Sequence, residues 1–330
     1  MEFTLPDAGH RFGEVVLGQD VRRPRHGPPF DWEDGAWRLA FPRPDADRME
    51  YLLGIDGDFG PDPANPLRTA GPFGDKSVVE WPEYAAPDWL ETIADAGPVE
   101  EHELRCRRLV ARVRVLLYST PEPPGAGAPL LVVHDGPEYA EYAGLTRYLD
   151  AMSWQELIPP LSAALIQPVD RDETYSASAL YAGALVRELL PQIAKRVPHG
   201  IRIGIGSSLG ALAMLHAHRR HPRSFDGLLL QSGSFFQQRY DKHESTFPRY
   251  QRITRFVGSV LRGGDADRTV PVAITCGTAE ENRANNEAVA EALAEQGYPV
   301  WLAEVRDGHT WTCWRDSLHP HLPALIEAAT

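Results

Sequence analysis

The pattern of hydrophobic and polar positions changes character near residue 101. Before that point, apolar residues occur in short alternating runs, such as residues 37–41 and 49–53. Turn signals, including Asp56-Gly57 and Asp62-Pro63, separate these runs. Alternation broken by turns is typical of antiparallel strands. We therefore predict a small β-sandwich domain over residues 1–100.

From residue 101 onward, apolar strand-like runs alternate with helical periodicity. Such alternation predicts an α/β fold, with a mostly parallel sheet and helices on both faces. We assign this pattern to one domain, residues 101–330. The predicted strands cover residues 113–118, 130–133, 163–169, 201–205, 227–231, 270–276 and 299–305, and the predicted helices cover 179–196, 211–220 and 285–296.

Composition and charge narrow the class of protein. The 330 residues can hold one large or two moderate domains, and the net charge is −13. A strongly negative chain is a poor partner for nucleic acid or an anionic membrane surface. No apolar run approaches the roughly 18 residues that span a bilayer, and the N-terminus lacks the pattern of a signal peptide. Three widely spaced cysteines, Cys106, Cys276 and Cys313, do not suggest a disulfide framework. We expect a cytoplasmic protein; the oligomeric state is left open.

The chemistry begins with a glycine-flanked serine between the strand 201–205 and the helix 211–220. Gly206, Ser208 and Gly210 form a G-x-S-x-G motif. In a nucleophile elbow, such a serine lies on a strained strand-to-helix turn with its hydroxyl exposed. Glycines are needed there because side chains would collide with the neighbouring strand or helix. Ser208 is therefore the candidate nucleophile of a serine hydrolase.

Two other interpretations of this segment exist. Gly204, Gly206 and Gly210 could form a dinucleotide loop, which requires an acidic residue at the end of the next strand. That strand ends at Gln231, and Asp226 precedes it, so this interpretation is disfavoured. The second alternative is a glycine-serine turn with a purely structural role. A base and an acid at the expected places later in the chain would argue against it.

The candidate base is His309, which follows the last predicted strand through a short loop. A serine hydroxyl needs such a base to take its proton, and in α/β hydrolases the histidine comes last in the chain. The other histidines after Ser208 favour structural roles, and the pattern indicates no metal site. They are His216, His218, His221, His243, His319 and His321.

The candidate acid lies in the loop after the strand 270–276. Glu280 is favoured and Glu281 is the alternative. Asp307 is a weaker third choice, because it lies only two residues before His309. The acid would hold the imidazole in one tautomer and stabilise its positive charge.

Two backbone N–H groups should bind the oxyanion. One is that of Leu209, the residue after the nucleophile. The other is expected from the loop 134–139, which follows the strand 130–133.

Several segments together resemble the enterochelin esterase group in the putative-esterase branch of the α/β hydrolases. They run in the same order as in that family, from about residue 50 to the end of the chain. They are residues 62–66, 71–77, 134–136, 171–176, 188–191, 206–210, 231–235, 277–282 and 309–315.

The resemblance implies a β-sandwich domain that helps shape the pocket and a cofactor-free catalytic domain that hydrolyses ester bonds. In this family the esters are typically those of catecholate siderophore trilactones and their iron complexes. By position it implies Ser208 as nucleophile, His309 as base and Glu280 as acid. One departure is Pro137, which lacks the N–H that relatives use for the oxyanion. We place the second donor at Gly136, with Glu138 or a group elsewhere in the chain as alternatives.

Two residues are candidates for substrate binding. Trp311 could stack on an aromatic ring or pack in the core, as could Trp314. Arg171 could meet an anionic ligand or pair with a carboxylate such as Glu188.

The sequence thus predicts a serine esterase whose partner is a small ester or macrolactone, including an iron–siderophore complex. Two other enzymes are alternatives, an esterase that acts on another acyl ester and an acyltransferase. The alternative that is not an enzyme is a catalytically inert glycan-binding protein.

Overall fold

The computed structural model describes residues 1–23, 25–263 and 267–330. The first nine strands belong to the N-terminal part of the chain, and a 3₁₀ turn, Asp88–Glu91, follows them. They are β1 Glu2–Pro6, β2 Val15–Gln19, β3 His26–Pro29, β4 Asp31–Glu33, β5 Ala36–Ala40, β6 Arg48–Ile55, β7 Asp58–Gly60, β8 Arg68–Thr69 and β9 Lys76–Glu80.

The remaining elements alternate between strand and helix. The strands are β10 Val99–Cys106, β11 Ala111–Ser119, β12 Leu130–His134, β13 Ser162–Ile166, β14 Arg202–Ser207, β15 Gly227–Gln231, β16 Val272–Gly277 and β17 Val300–Val305. The helices are α1 Gly136–Glu141, α2 Leu145–Trp154, α3 Arg171–Tyr175, α4 Ala179–Ala184, α5 Leu190–Ala194, α6 Leu209–Arg220, α7 Tyr250–Leu261, α8 Arg283–Glu295, α9 Trp311–Asp316 and α10 His321–Ala329.

The N-terminal strands form two antiparallel sheets, one ordered β1-β5-β4 and the other β3-β2-β6-β9-β8, with β7 paired to β6. Alternate residues face inward, as in β1, where Phe3 and Leu5 are buried and their neighbours are exposed or partly exposed. One cluster of buried side chains, including Leu17, Trp37 and Met49, lies between the two sheets. The predicted β-rich N-terminal domain is confirmed.

The C-terminal part is built on one eight-stranded sheet, ordered β10-β11-β13-β12-β14-β15-β16-β17. The strands from β13 to β17 run parallel, and β10 and β11 add an antiparallel edge. In β12, Leu130 and Val132 join one apolar cluster and Leu131 and Val133 join the other. Because the two clusters lie on opposite faces, helices cover both faces, as the α/β prediction required.

Most sequence boundaries agree with the structure, and a few are wrong. The strand predicted at 163–169 ends at Ile166. The helix predicted at 179–196 is interrupted by a π-helical turn, Leu185–Leu189, just before Pro191. Proline removes a backbone donor, which disturbs the regular helical hydrogen bonds. The boundary predicted between residues 100 and 101 falls within β10, and the domain limits stay a prediction.

The parallel strands bring their following loops to one edge of the sheet, where sites of open α/β folds lie. The loops after β12, β14, β15, β16 and β17 therefore converge. None of the helices described here has the length and apolar character to span a membrane.

Candidate active site

Ser208 lies at the junction between β14 and α6 in a strained backbone conformation. Its φ of 54° and ψ of −122° lie outside the regions that non-glycine residues usually adopt. The turn is held because Ser208 N–H donates to the carbonyl of Gln231 over 2.9 Å, and its own carbonyl accepts from Ser234 N–H over 3.0 Å. Strain that the surroundings enforce is typical of functional sites. Ser208 is partly exposed.

The glycines of the motif permit close backbone contacts. A Cβ on Gly206 would lie 2.4 Å from the carbonyl carbon of Gly210, a distance that no side chain tolerates. A Cβ on Gly210 would lie 3.2 Å from the His134 side chain. Behind the turn, His134 Nδ1 lies 3.0 Å from the Gly210 carbonyl oxygen. Burial lowers the pKa of His134 to about 4, so this imidazole is neutral and supports the turn as a donor.

The Ser208 hydroxyl contacts a second serine. Its Oγ lies 3.0 Å from Ser234 Oγ, in the loop after β15. Within the described part of the chain, no hydrogen bond joins Ser208 to His309. Catalytic hydrogen bonds are often long or misaligned without substrate and tighten when it binds. For the Ser208 hydroxyl to donate to His309, it must turn away from Ser234.

Glu280 and His309 form a close pair. His309 Nδ1 lies 2.7 Å from Glu280 Oε2. The other carboxylate oxygen, Oε1, accepts from Gly277 N–H over 2.8 Å and from the Ser232 hydroxyl over 2.6 Å. Glu280 is buried, whereas His309 is partly exposed. A carboxylate fixed by several donors holds Nδ1–H and leaves Nε2 as the proton acceptor.

The two other acids considered in the sequence do not contact His309. Glu281 faces the surface and ion-pairs with Arg23 and Arg25. Asp307 is buried against Arg48, 3.3 Å away. The geometry thus favours Glu280 over the alternatives, since Glu280 makes the contact that the acid needs.

Ser232 and Trp314 complete this network, and sequence reasoning gave neither residue this function. The Trp314 indole donates from Nε1 to Ser232 Oγ over 2.9 Å, and Ser232 donates to Glu280. The Trp314 ring also meets the His309 ring edge-on, with centroids 5.1 Å apart. The signal that could have indicated Ser232 is the Gln231-Ser232-Gly233 segment at the end of a strand. Trp314 is buried, so it packs as core instead of facing a ligand.

The predicted oxyanion donors both begin helices. Leu209 is the first residue of α6 and Gly136 the first of α1. Backbone N–H groups in the first turn have no acceptor within their own helix. Gly136 also packs tightly, because a Cβ there would lie 2.2 Å from the carbonyl carbon of Leu165. Pro137, the next residue, offers no N–H.

Comparison with known proteins places this arrangement in a family. The model of the putative esterase family matches residues 107–325. The chain belongs to the putative esterase family. The match spans the eight-stranded sheet except for its first strand and includes Ser208, Glu280 and His309.

Individual relatives agree with this assignment. The chain is 30% identical over 246 residues to the iron(III) enterobactin esterase of Dickeya dadantii, covering 68% of this chain and 54% of that protein. The chain thus spans about half the length of that relative. It is 27% identical over 295 residues to the iron(III) enterobactin esterase of Escherichia coli O6:H1, covering 84% and 71%.

A solved structure extends the likeness to the whole fold. The enterobactin esterase of Shigella flexneri, crystallised in the presence of enterobactin, superposes with a TM-score of 0.80 at 20% identity. The alignment covers 99% of this chain and 92% of that one. The resemblance to enterochelin esterases and the predicted fold class are confirmed.

In this member of the family, Arg171 does not pair with Glu188. Its Nε and Nη2 each lie 2.9 Å from an oxygen of Asp135, which precedes Gly136. Glu188 instead pairs with Arg108 and accepts from the N–H of Arg107. The suggested Glu188 partner is therefore wrong, and Arg171 stabilises the loop that carries Gly136. A direct role of Arg171 in substrate binding stays a prediction.

Trp311 lies close to the base in the chain and is partly exposed. Its ring packs edge-on against Tyr139, with centroids 5.3 Å apart, and against Trp314 at 4.7 Å. One part of the ring thus belongs to the core, and its role in substrate binding stays a prediction.

One cluster on this chain combines a histidine and two carboxylates, which are side chains that can bind a metal ion. The ligand atoms of His243, Glu244 and Glu281 lie within 4.8 Å of one another. Arg23 and Arg25 each ion-pair with Glu244 and Glu281. The positive charge of these arginines explains why the two carboxylates lie close together, and no metal ion is needed for it. The three cysteines are free and buried.

Proposed function

We propose that this protein is a serine esterase that works through an acyl-enzyme and cleaves the ester bonds of a catecholate siderophore trilactone. The observation that carries the mechanism is the contact of 2.7 Å between His309 Nδ1 and the buried Glu280. A carboxylate–imidazole pair near a serine on a strained elbow is the arrangement that activates a hydroxyl for acyl transfer.

The steps follow from these groups. Ser208 Oγ attacks the ester carbonyl carbon while His309 Nε2 takes its proton. The imidazolium then gives that proton to the departing alkoxide, which leaves as an alcohol and leaves an acyl-serine. Water, deprotonated by His309, releases the acid and restores Ser208. The N–H groups of Leu209 and Gly136 are the proposed donors to the oxyanion.

The substrate class is supported by the relatives, whose names give iron(III) enterobactin as their substrate. A tris-catecholate iron complex carries negative charge and requires cations at its binding surface. Arg239, Arg255 and Arg262 line a groove that begins at Gln237, three residues after Ser234. Among the residues that the structure describes, none of these three arginines forms an ion pair. In a chain of net charge −13, this groove is a place where an anion would be attracted.

The proposal is tested with a fluorophosphonate probe and a substrate panel. We expect covalent labelling of the purified protein at Ser208, detected by peptide mass spectrometry. We further expect hydrolysis of an iron-free and an iron-loaded catecholate trilactone, measured by chromatography of the hydroxy-acid products. No labelling would leave the inert binding protein as the better interpretation. Hydrolysis of simple aryl esters alone would refute the siderophore assignment.

The arginine groove gives a separate prediction. In the double variant Arg255→Gln/Arg262→Gln, KM for the iron-loaded trilactone should rise about tenfold, because local positive charge raises the concentration of an anionic substrate. KM for a neutral aryl ester should stay the same. Steady-state kinetics on both substrates would check this, with Arg112→Gln, an exposed arginine paired to Glu103, as the control. An equal rise for both esters would show that the groove does not select by charge.

A further inference from the structure

The loop that carries His309 is held from behind by a buried arginine of the N-terminal sheets. Arg48, the first residue of β6, is 2% exposed. Its Nη1 lies 3.0 Å from Glu50 Oε1 and 3.3 Å from Asp307 Oδ2. The side chains of Arg48 and Asp307 are 3% and 4% exposed, so water does not screen this contact.

Asp307 in turn fixes the backbone on both sides of the base. Its Oδ1 accepts from Gly308 N–H over 2.6 Å, and Oδ2 lies 3.4 Å from the Thr310 hydroxyl. Its carbonyl oxygen accepts from the N–H of Ala279, next to Glu280. One aspartate therefore connects the loop of the acid with the loop of the base.

A backbone contact beside Arg48 reinforces the arrangement. Asp47 N–H donates to the carbonyl of Arg306 over 2.7 Å, directly before Asp307. Two consecutive residues where β6 begins, Asp47 and Arg48, thus contact two consecutive residues, 306 and 307, that lead to His309.

We propose that Arg48 is a positioning residue for the catalytic base. By holding Asp307 in its hydrogen-bonded place, it fixes the loop 307–310 and thereby the direction of His309 Nε2. Arg48 has no contact with Ser208 or His309, so it acts through Asp307. The inference rests on the proposed function and adds to it a role of the N-terminal part of the chain in the chemistry.

Electrostatics supports this role. Removing one partner of a buried ion pair leaves the other charge without compensation. Burial raises the pKa of the Asp307 carboxyl to about 7, while the Arg48 guanidinium acts in the opposite direction. The other charged or titratable groups that face the pair are Glu50 on β6, Tyr84 after β9 and Cys313 on α9. Lys76 on β9 ion-pairs with Glu50 over 3.4 Å.

The test compares Arg48→Met with Arg48→Lys on an aryl ester. Methionine keeps much of the apolar stem but removes the charge, so kcat should fall about 10- to 100-fold, the effect of small misplacements in an active site. KM should change little, because Arg48 is remote from substrate. The acidic limb that Asp307 contributes to the pH profile of kcat should move up by about one pH unit, since Asp307 loses the cation that lowers its pKa. Arg48→Lys should restore part of kcat and the original limb.

A control separates positioning from general loss of stability. Tyr51 lies on β6, the same strand as Arg48, and Tyr51→Phe removes its buried hydrogen bond of 2.8 Å to Asp62 without touching the histidine loop. At a comparable fall in Tm, its kcat and pH profile should match those of the wild type. If Arg48→Met does not fold, Asp307→Asn replaces it, and this variant should lower kcat and lose the acidic step that belongs to Asp307.

The outcomes distinguish the two proposals. A wild-type protein that fluorophosphonate does not label overturns the proposed function and this inference with it. Labelling and turnover in the wild type, together with an unchanged kcat and pH limb in Arg48→Met, overturn this inference alone. Equal losses in Arg48→Met and Tyr51→Phe would also overturn it, because they would show a merely structural role.

Discussion

Replacing Ser208 by alanine should lower ester turnover by about 10⁶-fold, the loss expected when a nucleophile that acts as a unit with its base is removed. The backbone of the elbow is held by bonds from its N–H and carbonyl, neither of which involves the hydroxyl. The variant should therefore keep its fold, and binding of the substrate should be little changed. Stopped assays on the trilactone and on an aryl ester would measure the loss.

The matched control for this variant is Ser207→Ala. It makes the same change one residue earlier, where the side chain is buried at the end of β14. It should keep most of the activity and its fluorophosphonate labelling. Comparable activity in Ser208→Ala and the wild type would contradict the acyl-enzyme mechanism.

Replacing Glu280 by glutamine should lower kcat by about 10⁴-fold, since the amide leaves the size of the side chain unchanged but no longer fixes the imidazole tautomer or its charge. The structure shows the carboxylate between three donors, His309 Nδ1, Gly277 N–H and the Ser232 hydroxyl. An amide placed there must point its NH₂ at one of them. KM should change much less than kcat, because Glu280 is buried behind the base.

Glu281→Gln is the control for this prediction. Its carboxylate pairs with Arg23 and Arg25 near the surface, where single ion pairs contribute little, typically about 0–1 kcal/mol. Its kcat should stay close to that of the wild type. A large loss in Glu281→Gln together with a small one in Glu280→Gln would reverse the assignment of the acid.

Those parts of the fold that follow from local pattern were predictable from the sequence. The strand Gly227–Gln231 was predicted with the bounds that the structure gives, because its three consecutive leucines, 228–230, form a short apolar run between turns. β10 was missed, since its charged residues, such as Glu101 and Glu103, alternate with less polar ones at a sheet edge. Edge strands carry charge for solubility, which weakens their apolar signal.

The parts of the site that depend on tertiary contact were not predictable. Spacing in the sequence does not show which of the adjacent residues Glu280 and Glu281 contacts His309, because this depends on how the loop after β16 turns. The contact between Arg48 and Asp307 joins residues 259 positions apart, and neither belongs to a motif. In contrast, Ser208 and His309 follow strands in the chain order of a known chemistry, so the sequence was sufficient to propose them.

The short segment before β6 has a consequence for recombination between relatives. Asp47 N–H bonds to Arg306 in the loop of the base, and the carbonyl of Asp45 accepts from the Thr278 hydroxyl in the loop of the acid. A chimera that takes its N-terminal half from another esterase would replace the supports of both loops at once. Such hybrids should therefore retain activity only when the crossover lies before residue 45, so that residues 45–47 come from the same parent as the loops of Glu280 and His309.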